Sequence, residues 1–285
     1  MASDAEVIKA IGNSWGIMYG SPVSSRQFYV SNIKPIRKIL QKEQAAIRAS
    51  GGVQRKITGT ALIPLLSLNG PSATVPIEIL IGASASTTGP SDGENAALYQ
   101  PQSGYILIAI GGDGVSHISS PSDGGDAVCV GAGDSLIIAL GGHAASPSNP
   151  TPMPLGATGT TGGDGGNATA VATTAGSVIH AYGGDGKRGS LGGNGRRSTW
   201  YRSFIRPGIN GDDGDGGDAL AYCGDHCDLL ARGGGAPTPF RPRYSTPGAS
   251  GQGGNATVVH GANDVHVLAC TNGLPTGGNG TDITI

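Results

Sequence analysis

The stretch TGGDGGNATAVATTAGSVIHAYGGDG, residues 161–186, decides how the chain is read. Paired glycines lead to an Asn-Ala dipeptide that opens a β-branched run. A turn of small residues follows, and a second apolar run carries Ala181 and ends in Gly-Gly. The plan recurs as GENAALY, GGDAVCV, GGNATAV, GGDALAY and GGNATVV, with the first alanine at Ala96, Ala127, Ala168, Ala219 and Ala256. A second alanine stands twelve or thirteen residues on, at Ala109, Ala139, Ala181, Ala231 and Ala269.

Each module reads as a short strand, a turn built from Gly, Asp, Asn or Ser, and a second aliphatic strand. The residue two before the second alanine is always aliphatic (Leu107, Ile137, Ile179, Leu229, Val267), as alternate side chains facing one buried layer require. Upstream, ITGTALIPLLSLNGPSATVPIEILIGAS reads as two more strands, and the closing GGNGTDITI as the first strand of a sixth module.

Glycine supplies 52 of 285 residues, and only five of them precede Val53. Ordering so much glycine is entropically costly, so the segment must recover free energy from dense backbone hydrogen bonding and very close chain approach. A three-residue-per-turn polyglycine-II-like helix offers that geometry. The expected fold is therefore all-β: a glycine-rich repeat stack over residues 53–285 with polyglycine-II-like segments, preceded by a small, partly helical N-terminal segment, 1–52. In that segment Ser3 and Glu6 fit a capping box, and Lys34–Ala49 carries Ile36, Ile39, Leu40 and Ile47 at helical spacing.

Residues 1–60 hold nine Lys/Arg against three Asp/Glu, while the remainder holds nine against seventeen. The basic end, residues 1–52, suggests a docking or nucleic-acid role, and the acidic remainder argues against wrapping nucleic acid. No stretch has the character of a signal peptide or of a bilayer span, so the expectation is a product made in the cytosol with no membrane insertion. Four cysteines at this length suggest reduced thiols.

The modules are constant and the connections between them are not: successive first alanines are 31, 41, 51 and 37 residues apart. The long connections are 143–161, 187–210 and 236–252. Beyond residue 60 there are nine basic residues, and only Arg232 lies within a module; Lys187, Arg188, Arg196, Arg197, Arg202, Arg206, Arg241 and Arg243 lie in the last two connections. These also hold Trp200, Tyr201, Phe204, Phe240 and Tyr244. Rigid aromatic surface and guanidinium groups that clamp phosphates or carboxylates make Arg196, Arg197, Trp200, Tyr201, Arg202, Phe204, Arg206, Phe240, Arg241, Arg243 and Tyr244 the candidate receptor- or partner-binding residues. The bland alternative is that these loops fold back and supply core that glycine cannot.

Nothing points to an enzyme, a cofactor or a metal. Neither a P-loop nor an H-E-x-x-H helix is found. The cluster CGDHC (Cys223–Cys227) lacks the second ligand pair of a zinc site, and the aspartates of GDDGDGGD lack the sustained nonapeptide period of a calcium-binding repeat. The three Asn-x-Thr sequons, at Asn167, Asn255 and Asn279, occupy the repeat's turn slot.

The repeated motifs GGDG, GGDGGNA, GGNG, GDGGDA, GGGA and GQGGNA, with long dissimilar segments between them, resemble the glycine-rich domains of phage tail proteins. The likeness is to the receptor-binding tip adhesins of T-even-like long tail fibres, over roughly residues 82–280. It implies packed polyglycine-II helices and loops that bind outer-membrane proteins or lipopolysaccharide. The resemblance thus implies a non-enzymatic virion protein made in the host cytoplasm, a host-attachment adhesin that recognises a glycan or outer-membrane component and docks to other virion proteins through residues 1–52. The alternative is a structural capsid, tail or sheath subunit whose loops and N-terminal segment hold sister subunits. Ice binding needs a flat, weakly charged face and fits poorly with irregular charged loops.

Overall fold

The computed structural model describes residues 1–14, 29–63, 73–88, 91–116, 122–148, 157–190, 196–197, 204–205, 208–238, 246–261, 263, 266–270 and 280–284. Helix α1 (Asp4–Asn13) opens with the capping box: the Ser3 hydroxyl accepts the Glu6 N–H, and the Glu6 carboxylate accepts the Ser3 N–H. Its buried face is Val7, Ile8 and Ile11. A π-helical turn (Tyr29–Ile33) leads into helix α2 (Lys34–Ala49), which has Pro35 in its first turn, where a missing N–H costs nothing.

A long antiparallel hairpin follows, β1 (Gln54–Ile63) and β2 (Ala73–Gly82), with Gln54 opposite Gly82. The five modules come next: β3 (Ala96–Gln100) with β4 (Ile106–Ile110), β5 (Ala127–Gly131) with β6 (Leu136–Leu140), and β7 (Ala168–Ala172) with β8 (Val178–Tyr182). A two-residue pair, β9 (Arg196–Arg197) and β10 (Phe204–Ile205), intervenes before β11 (Ala219–Tyr222) with β12 (Asp228–Arg232) and β13 (Ala256–His260) with β14 (His266–Cys270). Strand β15 (Gly280–Thr284) is the last.

The two strands of a module do not pair with each other. Second strands form a seven-stranded sheet ordered β1-β2-β4-β6-β8-β12-β14, and first strands a six-stranded sheet ordered β15-β13-β11-β7-β5-β3. All pairings in them are parallel except β1 with β2. The alanine register is the sheet register: Ala96, Ala127, Ala168, Ala219 and Ala256 lie side by side in one sheet, and Ala109, Ala139, Ala181, Ala231 and Ala269 in the other. Between the sheets is a thin layer of Ala96, Ala109, Ala127, Ala139, Ala168, Ala181, Ala219, Ala231 and Ala256 with Leu98, Leu107, Ile137, Ile179, Leu229 and Val258. Small residues let two sheets approach; a larger side chain on every strand would hold them apart.

The all-β class is overturned. Two helices lie on the outer face of the seven-stranded sheet, where Val7, Ile8, Ile11, Ile36, Leu40 and Ile47 pack against Ile57, Ile77, Ile79, Ile81, Ile106, Ile108 and Ile138. The molecule is α/β, helices layered on mostly parallel sheets, and not an all-β repeat stack. The physical reason is that the second strands are apolar on both faces, as parallel strands buried on both sides are. All five residues of β4 and of β6 are buried, and the face turned away from the alanine layer needs a cover that glycine tracts cannot supply.

Beyond the strand ends the glycine tracts lie against one another. The N–H groups of Gly125, Gly142, Gly166, Gly184, Gly217, Gly234 and Gly254 each donate to the glycine carbonyl of the preceding tract, Gly112 through Gly234, at 2.8–2.9 Å. Every third residue carries a side chain that continues the pattern. Asn95, Asp126, Asn167 and Asp218 each accept, through Oδ1, the backbone N–H of the next residue in the row, ending at Asn255. A second row does the same from Asp92 through Asp123, Asp164 and Asp215 to Gln252.

Candidate partner-binding site

The long connections leave the glycine lattice together. Gly159 N–H donates to Ile209 O, Ser190 N–H to Thr160 O, Gly211 N–H to Ser190 O, and Asn210 N–H to Thr246 O, at 2.7–3.0 Å. Stems of connections 143–161, 187–210 and 236–252 are therefore hydrogen-bonded side by side. The Arg188 guanidinium adds a bond to the Thr238 carbonyl, tying connection 187–210 to connection 236–252. Such stems fix where loops begin without restricting what the loops contain.

Of the candidate residues, Arg196 and Arg197 lie on β9 and Phe204 on β10, with Phe204 opposite Arg197 in an antiparallel pair. The 187–210 connection thus carries a small hairpin. Trp200, Tyr201, Arg202, Arg206, Phe240, Arg241, Arg243 and Tyr244 lie outside the described residues. Close to the stems are carboxylates: Asp213 accepts the Gly189 N–H and is held above the ordinary aspartate range by burial, against which that bond and Arg188 act. Asp123 in the second row is likewise raised, first by burial and also by the neighbouring Asp92 and Asp164 charges.

A polar stripe on α2 escaped the reading of the sequence. Arg37 Nη1 donates to Gly141 O (2.7 Å), Gln41 Nε2 to Asp113 Oδ2 (2.7 Å), Gln44 Nε2 to Gly111 O (2.8 Å) and Arg48 Nε to Ser84 O (2.6 Å). Three of these bonds satisfy backbone carbonyls beyond the strand ends, and the fourth holds the Asp113 carboxylate. The spacing 37, 41, 44, 48 is one helical face, and that was the available signal. A third row of side chains runs beneath it: Asp113 Oδ1 accepts the His143 N–H, His143 Nδ1 accepts the Asp185 N–H, and Asp185 Oδ1 accepts the Gly235 N–H.

Because His143 Nδ1 accepts a backbone N–H, its ring is neutral, and Asp185 Oδ2 at 3.5 Å from the same nitrogen is not an ion pair. Burial, with the Arg37 charge beside it, pulls the His143 pKa down to about 3. Burial alone does the same to His180, also to about 3, and burial raises Asp113. These groups are used in packing and hydrogen bonding rather than left facing a cavity.

No group of three or more potential metal ligands is found among the described residues. Cys223 and Cys227 are joined in a disulfide, which corrects the expectation of reduced thiols at these two positions; Cys129 is free and buried, and burial raises its thiol pKa. His226, between the paired cysteines, sits at φ 51, the left-handed turn position that Gly104, Asp134 and Gly176 hold in other modules. The spacing G-x-S-x-G occurs at residues 12–16 and 89–93. Ser14 closes α1, its hydroxyl donating to Ala10 and Ile11 carbonyls, and Ser91 accepts the Ser86 N–H ahead of β3. Neither sits at the strand-to-helix turn that makes such a serine a nucleophile.

No protein-family profile, no curated protein and no solved structure matches this chain.

Proposed function

We propose that the protein is a non-enzymatic virion surface protein that attaches to a host surface through the connections 187–210 and 236–252. The observation that carries this reading is the side-by-side bonding of their stems with that of 143–161, which roots next to one another the two connections whose sequences hold eight basic residues and five large aromatics. Arginine and aromatic side chains dominate binding hot spots, and a glycan phosphate or an outer-membrane carboxylate is a natural match for guanidinium groups. Replacing Trp200, Tyr201, Arg202 and Arg206 together with alanine should abolish adsorption to host cells while leaving the melting curve unchanged. Undiminished adsorption refutes the proposal.

One observation favours a structural subunit instead. Asp92, Asp164 and Asp215 form an exposed acidic row on the same molecule that carries the basic loops, so the loops of one copy complement the row of another. Salt-sensitive assembly of the purified protein into filaments or sheets, lost in the same quadruple variant, distinguishes this reading from host attachment.

A further inference from the structure

Among the described residues no helix covers the outer face of the six-stranded sheet. There Ala96, Leu98 and their counterparts on the other strands face the alanine layer, and the residues between them turn the other way. These make two rows across the strands. The first is Ala97, Val128, Thr169, Leu220, Thr257 and Thr281, and the second is Tyr99, Val130, Val171, Tyr222, Val259 and Ile283. No residue of either row is charged.

Tyr99 is 65%, Val128 37% and Ile283 42% exposed. Ala97 and Thr281 are exposed as well, and the inner-strand residues are half-buried, as neighbours about 4.8 Å away on the same sheet make them. All-parallel sheets ordinarily have both faces covered, and a broad uncharged apolar face marks a place of interaction. One margin of the face differs in character. The row Asn95, Asp126, Asn167, Asp218 and Asn255 runs along the strand starts, and beyond it the glycine tracts extend toward the bonded stems of the long connections.

We infer that this face is a homodimer interface, on which the six-stranded sheet of a second copy packs face to face. The two-fold axis lies between the sheets and across the strands, level with Leu98, Cys129, Ala170, Ala221 and Val258. The strands of the two copies then run antiparallel, and the first row of each lies over the second row of the other. At no strand is the first-row residue the larger of the two: Ala97 meets Tyr99, Thr169 meets Val171 and Leu220 meets Tyr222, so the faces interdigitate. Asp126 and Asp218 lie over Ala132 and Gly224 of the other copy, and the glycine tracts leave in opposite directions. An axis along the strands would instead set the carboxylates of one margin on those of the other.

Six strands about 4.8 Å apart and about 17 Å long make a face of about 500 Å² per copy. The total of about 1,000 Å² is at the lower bound of a specific interface, which gives a dimer in reversible equilibrium with its monomer. The uncharged rows make the association indifferent to salt, and the long connections begin well away from the face. This inference is independent of what the loops bind.

Sedimentation equilibrium of the full chain from 1 to 200 µM (roughly the range such an interface requires) tests it. A mass approaching twice the monomer's is expected, in low and high salt alike. Val171→Lys and Leu220→Lys each bury an ammonium group in the middle of the face and should raise the dissociation constant by at least about tenfold. Lys9→Glu, on the far side of the molecule, and the quadruple loop variant should each change it less than about twofold. A dimer indifferent to both lysines overturns the inference, as does one that forms only at high salt, since that places the acidic margins together. A monomer at every concentration overturns it as well, and co-sedimentation of that monomer with phosphatidylcholine vesicles would give the face to lipid. If either lysine variant fails to fold by circular dichroism, Val128→Lys, at a position already exposed in the single chain, takes its place.

Discussion

Gly142 and Gly104 are both glycine for physical reasons, but the reasons differ. A Cβ on Gly142 would stand 2.0 Å from the Gly112 carbonyl oxygen, whereas one on Gly104 would meet nothing within 4 Å, and only its φ of 79° is unfavourable. Gly142→Ala must push two backbones apart and should cost about 3 kcal/mol or prevent folding. Gly104→Ala should cost about 1 kcal/mol. Urea denaturation of both variants checks the ranking; equal costs would mean that the tracts are not in contact.

The buried histidines fix a pH response. His180 has its pKa drawn down to about 3 by burial, so the folded ring stays neutral where the unfolded ring, near 6.5, gains a proton. A depressed histidine contributes stability that is whole above the unfolded value and is lost as pH falls from there toward 3. Asp113, raised by burial, has the opposite sign and acts only near the carboxylate range. Between pH 7.5 and 5.0 the His180 contribution is about 2 kcal/mol of lost stability. His180→Phe should flatten the fall in unfolding free energy over that interval by this amount, and an unaltered slope would show that His180 is not buried neutral.

At the scale of elements, α2 shows what periodicity conveys and what it omits. Ile36, Leu40 and Ile47 announced an amphipathic helix, and their face is indeed on the core. The polar face shows its spacing but not its partners, which are far along the chain: Gln44 meets Gly111, 67 residues away, and Arg37 meets Gly141, 104 residues away. Gln44 also accepts the Asp113 N–H through Oε1. Gln44→Ala leaves the buried Gly111 carbonyl unpaired and should cost about 2 kcal/mol, while Lys38→Ala on the exposed side should fall within about 0.5 kcal/mol of wild type. Thermal or chemical melts distinguish the two. The module strands were legible in position and register for the converse reason: each repeats its own pattern, so five copies vouch for one another. Of the candidate binding residues, the hairpin pairing of Arg197 with Phe204 could not be read locally, since no Asn-Gly or Asp-Gly turn marks it.

For the whole molecule, the helical layer is the largest departure from the reading of the sequence. Ile77, Ile79, Ile81, Ile106, Ile108, Ile110 and Ile138 are buried beneath it or beside it. Burial of one such side chain is worth about 1.5–3 kcal/mol, which for these together is at least as large as the net stability of many domains. A chain shortened to residues 53–285 should therefore be insoluble, or soluble with strong binding of a hydrophobic dye. A well-dispersed, dye-indifferent product would show that the sheet does not need the helices. What the sequence determined by itself was the strand register and the crowding of charge and aromatic residues into the connections, because a repeat displays its period and its exceptions in one dimension. What only the tertiary structure decided was that second strands leave their partners to form a separate sheet, that helices must cover it, and that the loop stems stand side by side. Those outcomes depend on which apolar face has no other way to leave water, a condition that no segment of the chain meets alone.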